Sequence, residues 1–231
     1  MFFPAPFKAR HAKRTFVSSP EDEASSPTRR VIECALDAAR QTLDVEINEV
    51  IERARGLPWS PGTWPGEHYK LLAGFVAMLQ PRSVIEIGTF TGISALCLKK
   101  YLPAEGTLTT FDLVPWREFK DTVLNADDFA DGKLRQIIAD LAQPDEFNKH
   151  TALLAEAEFL FIDGPKDRRF EPAVAKLLST VKFKKTPWVV FDDIRDRNML
   201  AFWRELDKPK LDISSFGHWT GTGLVYWENR G

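Results

Sequence analysis

Cysteine is scarce in this chain of 231 residues, which carries only Cys34 and Cys97. Two thiols make no disulfide framework, and no group of Cys and His has zinc-site spacing, so a reducing compartment and a cytoplasmic location are expected. Long apolar runs are missing too: none approaches the ~18 residues that a membrane-spanning helix needs. Charge of one sign is not in excess. A formal net charge of −2 supplies no overall field for nucleic acid, so a small molecule is the expected partner and nucleic acid is disfavoured. Also absent are the Gly-x-Gly-x-x-Gly fingerprint of dinucleotide sites, a phosphate loop and a Gly-x-Ser-x-Gly elbow. Nicotinamide oxidoreduction is disfavoured on that ground. The 44% hydrophobic content is ordinary for a globular protein, and the length is enough for one sizeable core.

What is present is organised around Ser83-Val84-Ile85-Glu86-Ile87-Gly88-Thr89-Phe90-Thr91-Gly92-Ile93-Ser94. The first five residues make a short buried strand, Gly88 breaks it, and Gly92 with Ser94 opens a helical run over 95–101. A ligand can approach bare backbone at such a turn, beside the free N–H groups of the helix, with Glu86 as an acceptor at the strand end. A glycine loop with a carboxylate before it and no third glycine suits a nucleoside that lacks a pyrophosphate.

Upstream, residues 1–20 carry Lys8, Arg10, His11, Lys13 and Arg14 without an acid, and 21–26 are acidic and serine-rich. Residues 1–27 read as a mobile or partner-docked tail, with an organellar transit peptide as the alternative; no apolar stretch follows the basic residues, as a secretory signal requires. A helix then starts at Pro27-Thr28 and places Ile32, Leu36, Ala39, Leu43, Ile47, Val50 and Ala54 at intervals of three and four, until Gly56 and Pro58 end it. The segment 57–69, with Trp59, Trp64 and His68, is rigid and aromatic. It is either a cleft wall or a connection whose tryptophans cover the core. Another amphipathic helix over 69–79 completes a helical cap (28–80) on a single domain (28–231). The N-terminal helix and tail are also candidate homodimer-forming elements, since an amphipathic face could cover a second copy as well as its own sheet.

Beyond the cap, strands at 107–111, 134–139, 159–162 and 188–191 alternate with helical stretches at 116–129, 145–154, 172–180 and 198–206. Such alternation predicts an open, mostly parallel sheet with helices on both faces. The last two strands, 211–216 and 223–227, are joined too tightly for a crossover helix and must form an antiparallel hairpin.

Ligands bind such sheets outside the carboxyl ends of the strands. The residues closing the strands are Glu86, Asp112, Asp140, Asp163 and the pair Asp192-Asp193, all acids. Asp112 is placed for ribose hydroxyls and Asp140 for an adenine amino group, with a turn-forming role as the alternative. Asp163, Asp192 and Asp193 would converge from adjacent strands, where their repulsion is relieved most simply by a divalent cation, and hard oxygen donors suit Mg2+, Mn2+ or Ca2+. Trp64, His68, His218 and Trp219 are candidates for the cofactor and substrate mouth.

The glycine turn, Asp112, Phe161-Ile162-Asp163-Gly164-Pro165-Lys166-Asp167-Arg168 and Val189-Val190-Phe191-Asp192-Asp193 together resemble the class I S-adenosylmethionine-dependent methyltransferases, specifically those similar to catechol O-methyltransferase. The resemblance implies a Rossmann-like seven-stranded sheet with its last strand antiparallel. It implies S-adenosylmethionine as the nucleoside, for which Glu86, Gly88, Thr89, Gly92, Ser94, Asp112, Asp140 and Trp64 are the candidate contacts, a magnesium ion on Asp163, Asp192 and Asp193, and Lys166 as general base. The family often carries Asp-Asn where this chain has Asp192-Asp193. The implied reaction is methylation of a hydroxyl on a small acceptor, aromatic molecules among the options; the family's own catechol substrate is not carried over. The alternatives are methylation of a hydroxylated tRNA base, with Lys182, Lys184 and Lys185 on phosphates, and a non-catalytic nucleoside-binding or oligomeric module.

Overall fold

The computed structural model describes residues 27–58, 60–61 and 67–228. Apart from Pro27, the N-terminal tail lies outside them, and so does Trp64. Among the described residues no helix is long and apolar enough to cross a membrane.

Helix α1 (Arg29–Gln41) starts where the Thr28 hydroxyl accepts the Val31 N–H, and it buries Val31, Cys34, Ala35 and Ala38 at helical spacing. The single helix expected over 28–54 is in fact two. Thr42 turns its hydroxyl back onto the Ala39 carbonyl at 2.6 Å, residues 42–44 form turns, and α2 (Asn48–Arg53) starts afresh. Buried Val45 and Ile47 hold the break against the core, so burial there outweighs helix continuity. Helix α3 (His68–Leu79) is buried along most of its length and stops at Gln80, in a left-handed conformation (φ 48°) before Pro81.

Strands β1 (Ser83–Ile87), β2 (Thr107–Asp112), β3 (Leu134–Ile138), β4 (Phe159–Ile162) and β5 (Trp188–Asp192) are mutually parallel; β6 (Lys210–Asp212) and β7 (Thr222–Tyr226) form the C-terminal hairpin. The order is β3-β2-β1-β4-β5-β7-β6, with β7 antiparallel to both neighbours. This is the expected doubly covered sheet. Alternation within the strands divides the core in two: Val84, Leu108, Phe159, Phe161 and Val190 face the cap helices and α4 (Ile93–Lys100), whereas Ile85, Phe111, Leu160, Ile162 and Phe191 face the other layer. That second layer contains α5 (Pro144–Lys149), α6 (Thr151–Leu154), α7 (Phe170–Leu178) and α8 (Leu200–Glu205), with Phe147, Leu154, Val174 and Trp203 buried.

The helix expected over 116–129 is absent. Two 3₁₀ turns, Trp116–Glu118 and Ala126–Phe129, stand there instead. The N–H of Trp116 goes to the Gln136 side chain (2.8 Å) and that of Val123 to the Thr91 carbonyl (2.9 Å), so tertiary partners take the groups a helix would have used. The bidentate Arg53–Asp128 pair, at 2.9 and 2.6 Å, ties the second turn to α2. The helix expected over 145–154 is likewise interrupted at His150.

Candidate active site

At the carboxyl end of β1, Gly88 has φ +104°, and a Cβ there would lie 2.2 Å from the Asp163 carbonyl oxygen. The ends of β1 and β4 therefore meet as they do only through bare backbone. Gly92 (φ +84°) opens α4, and a Cβ there would strike the Leu124 side chain. Between the two glycines the loop is held by Asp112. Its Oδ2 accepts the N–H of Thr89 and of Phe90, both at 2.9 Å, and its Oδ1 accepts those of Leu113 (2.7 Å) and Val114 (3.1 Å). The Thr89 hydroxyl turns into the sheet, 2.7 Å from the Thr110 hydroxyl, and accepts from Gln136 Nε2 at 3.0 Å.

Over this loop lies a cavity of about 370 Å³ with mainly apolar walls that include Gly88, Phe111, Asp112, Val114 and Phe119. Beside it a cavity of about 250 Å³ is walled by His68, Tyr69, Ser94, Asp192, Asp193 and His218. Phe90 and Asp163 belong to both walls, which makes the two spaces neighbours. A more open hollow of about 450 Å³ between α7 and α8 has no strand-end acid in its lining.

In the smaller cavity Asp163, Asp192 and Asp193 each bring one carboxylate oxygen within 4.8 Å of the others. Lys166 stands among them: Nζ touches Asp163 Oδ1 and lies 3.3 Å from Asp193 Oδ2 and 3.7 Å from Asp192 Oδ2. The other oxygen of Asp192 faces two imidazoles, 2.6 Å from His218 Nε2 and 3.8 Å from His68 Nδ1. The Thr220 hydroxyl bonds His218 Nδ1. The Glu67 N–H donates to the Gly217 carbonyl at 2.9 Å, and that bond places the start of α3 against the β6–β7 turn.

The charges follow from burial and neighbours. Burial opposes the positive charge of Lys166, but Asp163, Asp192 and Asp193 together outweigh it and push the ammonium above its ordinary range. Burial likewise opposes ionisation of Asp192, yet His68, His218 and Lys166 hold it well below the usual carboxylate range. Burial pushes Asp163 up to about 7 and His68 down to about 3, which leaves the His68 ring neutral. Beneath the glycine loop, burial pushes Glu86 up to about 8, with Ser94 and Thr110 working the other way; neither of its oxygens has a partner of full hydrogen-bond geometry.

A sequence profile of the O-methyltransferase family matches residues 38–194, more than half of the chain. The chain belongs to the O-methyltransferase family. Within that family it is similar to caffeoyl-CoA O-methyltransferases 1 and 2 of Zea mays, at 26% and 25% identity over 165 residues. The matched region is 64% of this chain and spans 61% and 60% of the length of those relatives. Among solved structures, the O-methyltransferase TomG of Streptomyces achromogenes, in complex with S-adenosylmethionine, aligns with TM-score 0.52 and 19% identity, covering 87% of this chain and 99% of that one. A methyltransferase of Geobacter sulfurreducens aligns with TM-score 0.56 and 15% identity, covering 87% and 98%. At such identities these two structures establish the shared fold.

In this O-methyltransferase chain the structure brings Ser94, Asp163, Asp192, Asp193, His68 and His218 to one cavity, and Gly88 and Asp112 to its neighbour. Glu86 and Thr89 lie buried under the loop. Asp140 sits just past β3 and is occupied locally: its carboxylate accepts the Ala142 N–H at 3.0 Å and Gln143 Nε2 at 3.2 Å, and the preceding Ala139 lines the larger cavity. Trp219 is 38% exposed and lines neither cavity, unlike its neighbour His218. Trp64 lies outside the described residues. Sequence reasoning passed over Phe90, Tyr69 and Thr220. Phe90 alone left a signal, a large aromatic between two turn glycines, and its positive φ of 42° and 48% exposure mark it as a wall of the site.

Proposed function

We propose that this chain is an S-adenosylmethionine-dependent, divalent-cation-assisted O-methyltransferase that acts on a hydroxyl of a small aromatic molecule. The observation that carries the reading is the pair of adjoining cavities divided by Phe90 and Asp163, one over a glycine turn and the other over a carboxylate cluster. The donor sets fit. A mostly apolar hollow above bare backbone suits a nucleoside, and three oxygens within 4.8 Å suit a hard dication. When bound, the two groups would supply an electrophilic methyl on a sulfonium and a lowered pKa at the acceptor hydroxyl. The aromatic acceptor class follows the name of the Zea mays relatives.

The residues of the chain do the rest. Gly88 and Asp112 would seat the nucleoside, with ribose hydroxyls taking over acceptor positions now filled by the Leu113 and Val114 N–H groups. Phe90, edge-on to Phe119 at a centroid distance of 5.4 Å, shields the junction of the two spaces from water. Lys166 Nζ is the atom placed to receive the acceptor's proton. While the three carboxylates face it, they keep it protonated; were they engaged elsewhere, burial would favour loss of that proton and leave a neutral Nζ with a free lone pair to accept one. Of the three lysines named for a tRNA backbone, Lys184 and Lys185 are paired with Glu156 and Glu158, each at 2.5 Å.

The test is titration calorimetry with S-adenosylmethionine, followed by mass spectrometry of a catechol-type acceptor incubated with protein and cofactor, with Mg2+ or with chelator. Cofactor binding together with a chelator-sensitive +14 Da product is expected, that increment being the mass of one added CH₂, ~14. Absence of cofactor binding, or a product formed equally in chelator, overturns the reading.

A further inference from the structure

We propose a second cation position on the imidazole side of Asp192, built from His68, Asp192 and His218, that takes a borderline divalent ion of the Zn2+ or Co2+ class. This goes beyond the methyl-transfer reading and does not rest on it. The three side chains come from three separate parts of the fold: the first residue of α3, the last residue of β5 and the turn between β6 and β7. All three are more than nine-tenths buried. Each offers one ligand atom, and those atoms lie within 4.8 Å of one another.

The independent observation is His68 Nδ1. It is buried without any hydrogen-bond partner and points toward Asp192 Oδ1 from 3.8 Å. A buried ring nitrogen left unpaired is uncommon, because it forfeits its water without replacement. With the ring proton on Nε2, the lone pair of Nδ1 points at Asp192 Oδ1 and is available to coordinate. Bonds of about 2.0–2.2 Å set tetrahedral ligand atoms ~3.4 Å apart, so the present separations of 2.6 Å, 3.8 Å and at most 4.8 Å close with shifts on the order of an ångström.

The two oxygens of Asp192 separate this position from the carboxylate trio. Oδ2 faces Lys166, at 3.7 Å, and Oδ1 faces the imidazoles. Two nitrogens and one oxygen favour Zn2+, Co2+ or Ni2+, whereas three carboxylates favour Mg2+ or Mn2+. With three protein ligands, a fourth coordination position stays open toward the smaller cavity, whose walls contain the same residues. His218 presently shares its Nε2 with Asp192 in a hydrogen bond of 2.6 Å. For that nitrogen to coordinate, its proton must sit on Nδ1 or leave. The Thr220 hydroxyl, bonded to Nδ1, can donate to it or accept from it and so serves either tautomer.

The test uses the metal-stripped full chain in millimolar Mg2+, titrated with Zn2+ by calorimetry and with Co2+ by visible absorption. One Zn2+ per chain should bind despite the Mg2+, and Co2+ should give the intense visible bands of an imidazole-bound, low-coordinate ion. His68→Leu removes a nitrogen that has no hydrogen bond to lose; it should weaken Zn2+ at least tenfold and bleach the Co2+ bands. His218→Gln should do the same, and Asp163→Asn should leave both signals in place. Zn2+ also bridges α3 to the hairpin, so it should raise the melting temperature of the wild type and not that of His68→Leu. Zn2+ affinity unchanged in His68→Leu, or a pale six-coordinate Co2+ spectrum, overturns the proposal. These readouts stand whether or not methyl transfer is found.

Discussion

Asp112 and Asp192 both end a strand of the same sheet, and they are satisfied in opposite ways. Asp112 is surrounded by four backbone N–H groups drawn from residues 89, 90, 113 and 114, all on the β1 and β2 loops. Asp192 has side-chain partners, His68, Lys166 and His218, gathered from the cap, the β4 loop and the hairpin. The first carboxylate builds a loop. The second balances charges that other elements deliver, so the glycine half of the site is a local structure and the acidic half a meeting point of distant ones.

The comparison can be broken most severely at the backbone contact that joins the halves. Gly88→Ala places a methyl 2.2 Å from the Asp163 carbonyl at a φ of +104°. It should cost about 3 kcal/mol or more in urea unfolding and abolish cofactor binding measured by calorimetry. Next comes a matched pair of variants. Asp192→Asn removes the buried anion that faces Lys166 and His218, and it should lower kcat about 100-fold or more, whereas Asp112→Asn should mainly raise the cofactor KM. The same kcat and KM split in both variants would erase the distinction.

A smaller effect tests the ground beneath the loop. Glu86 is held up at about 8, above an ordinary value near 4.5, so its contribution to stability is fully present below pH ~4.5 and is lost as pH rises through 8. Glu86→Gln should therefore gain about 2 kcal/mol on the wild type between pH 5 and pH 6.5, read by urea unfolding at both values. The smallest effect is expected away from either half. Lys184→Ala and Lys185→Ala break exposed pairs with Glu156 and Glu158 and should change stability by less than ~0.5 kcal/mol, with no loss of cofactor binding.

The same contrast explains what could be read from the sequence. Apolar runs that end in acids reveal β1, β2, β4 and β5, because strands buried on both faces admit few polar residues. The glycine turn is legible because Gly88 and Gly92, with φ of +104° and +84°, mark it by themselves, although Asp112 and Asp163 hold it from other strands. The segment 116–129 misleads because its apolar residues have helical spacing while its N–H groups are taken by Thr91 and Gln136, partners on other elements. The break at Thr42 depends on how Val45 and Ile47 meet the core, and nothing in the local sequence carries that. His68 and His218 could be suspected as mouth residues, but their meeting on one oxygen of Asp192 depends on the Glu67–Gly217 bond between cap and hairpin. Asp140 shows what position alone leaves out, since a strand-end acid also builds its own turn, here by accepting the Ala142 N–H at 3.0 Å.

Lys166 gives the acidic half a further property. With its backbone in the left-handed region at φ 53°, and its carbonyl held by Asn198 Nδ2 at 2.9 Å, it delivers a resident counter-ion into the nest of acids. A dication arriving there would meet a tenant, so its loading would be an exchange of a single charge for a double one. Until then the chain balances its own repelling strand ends, because the Lys166 ammonium lies between the carboxylates of β4 and β5.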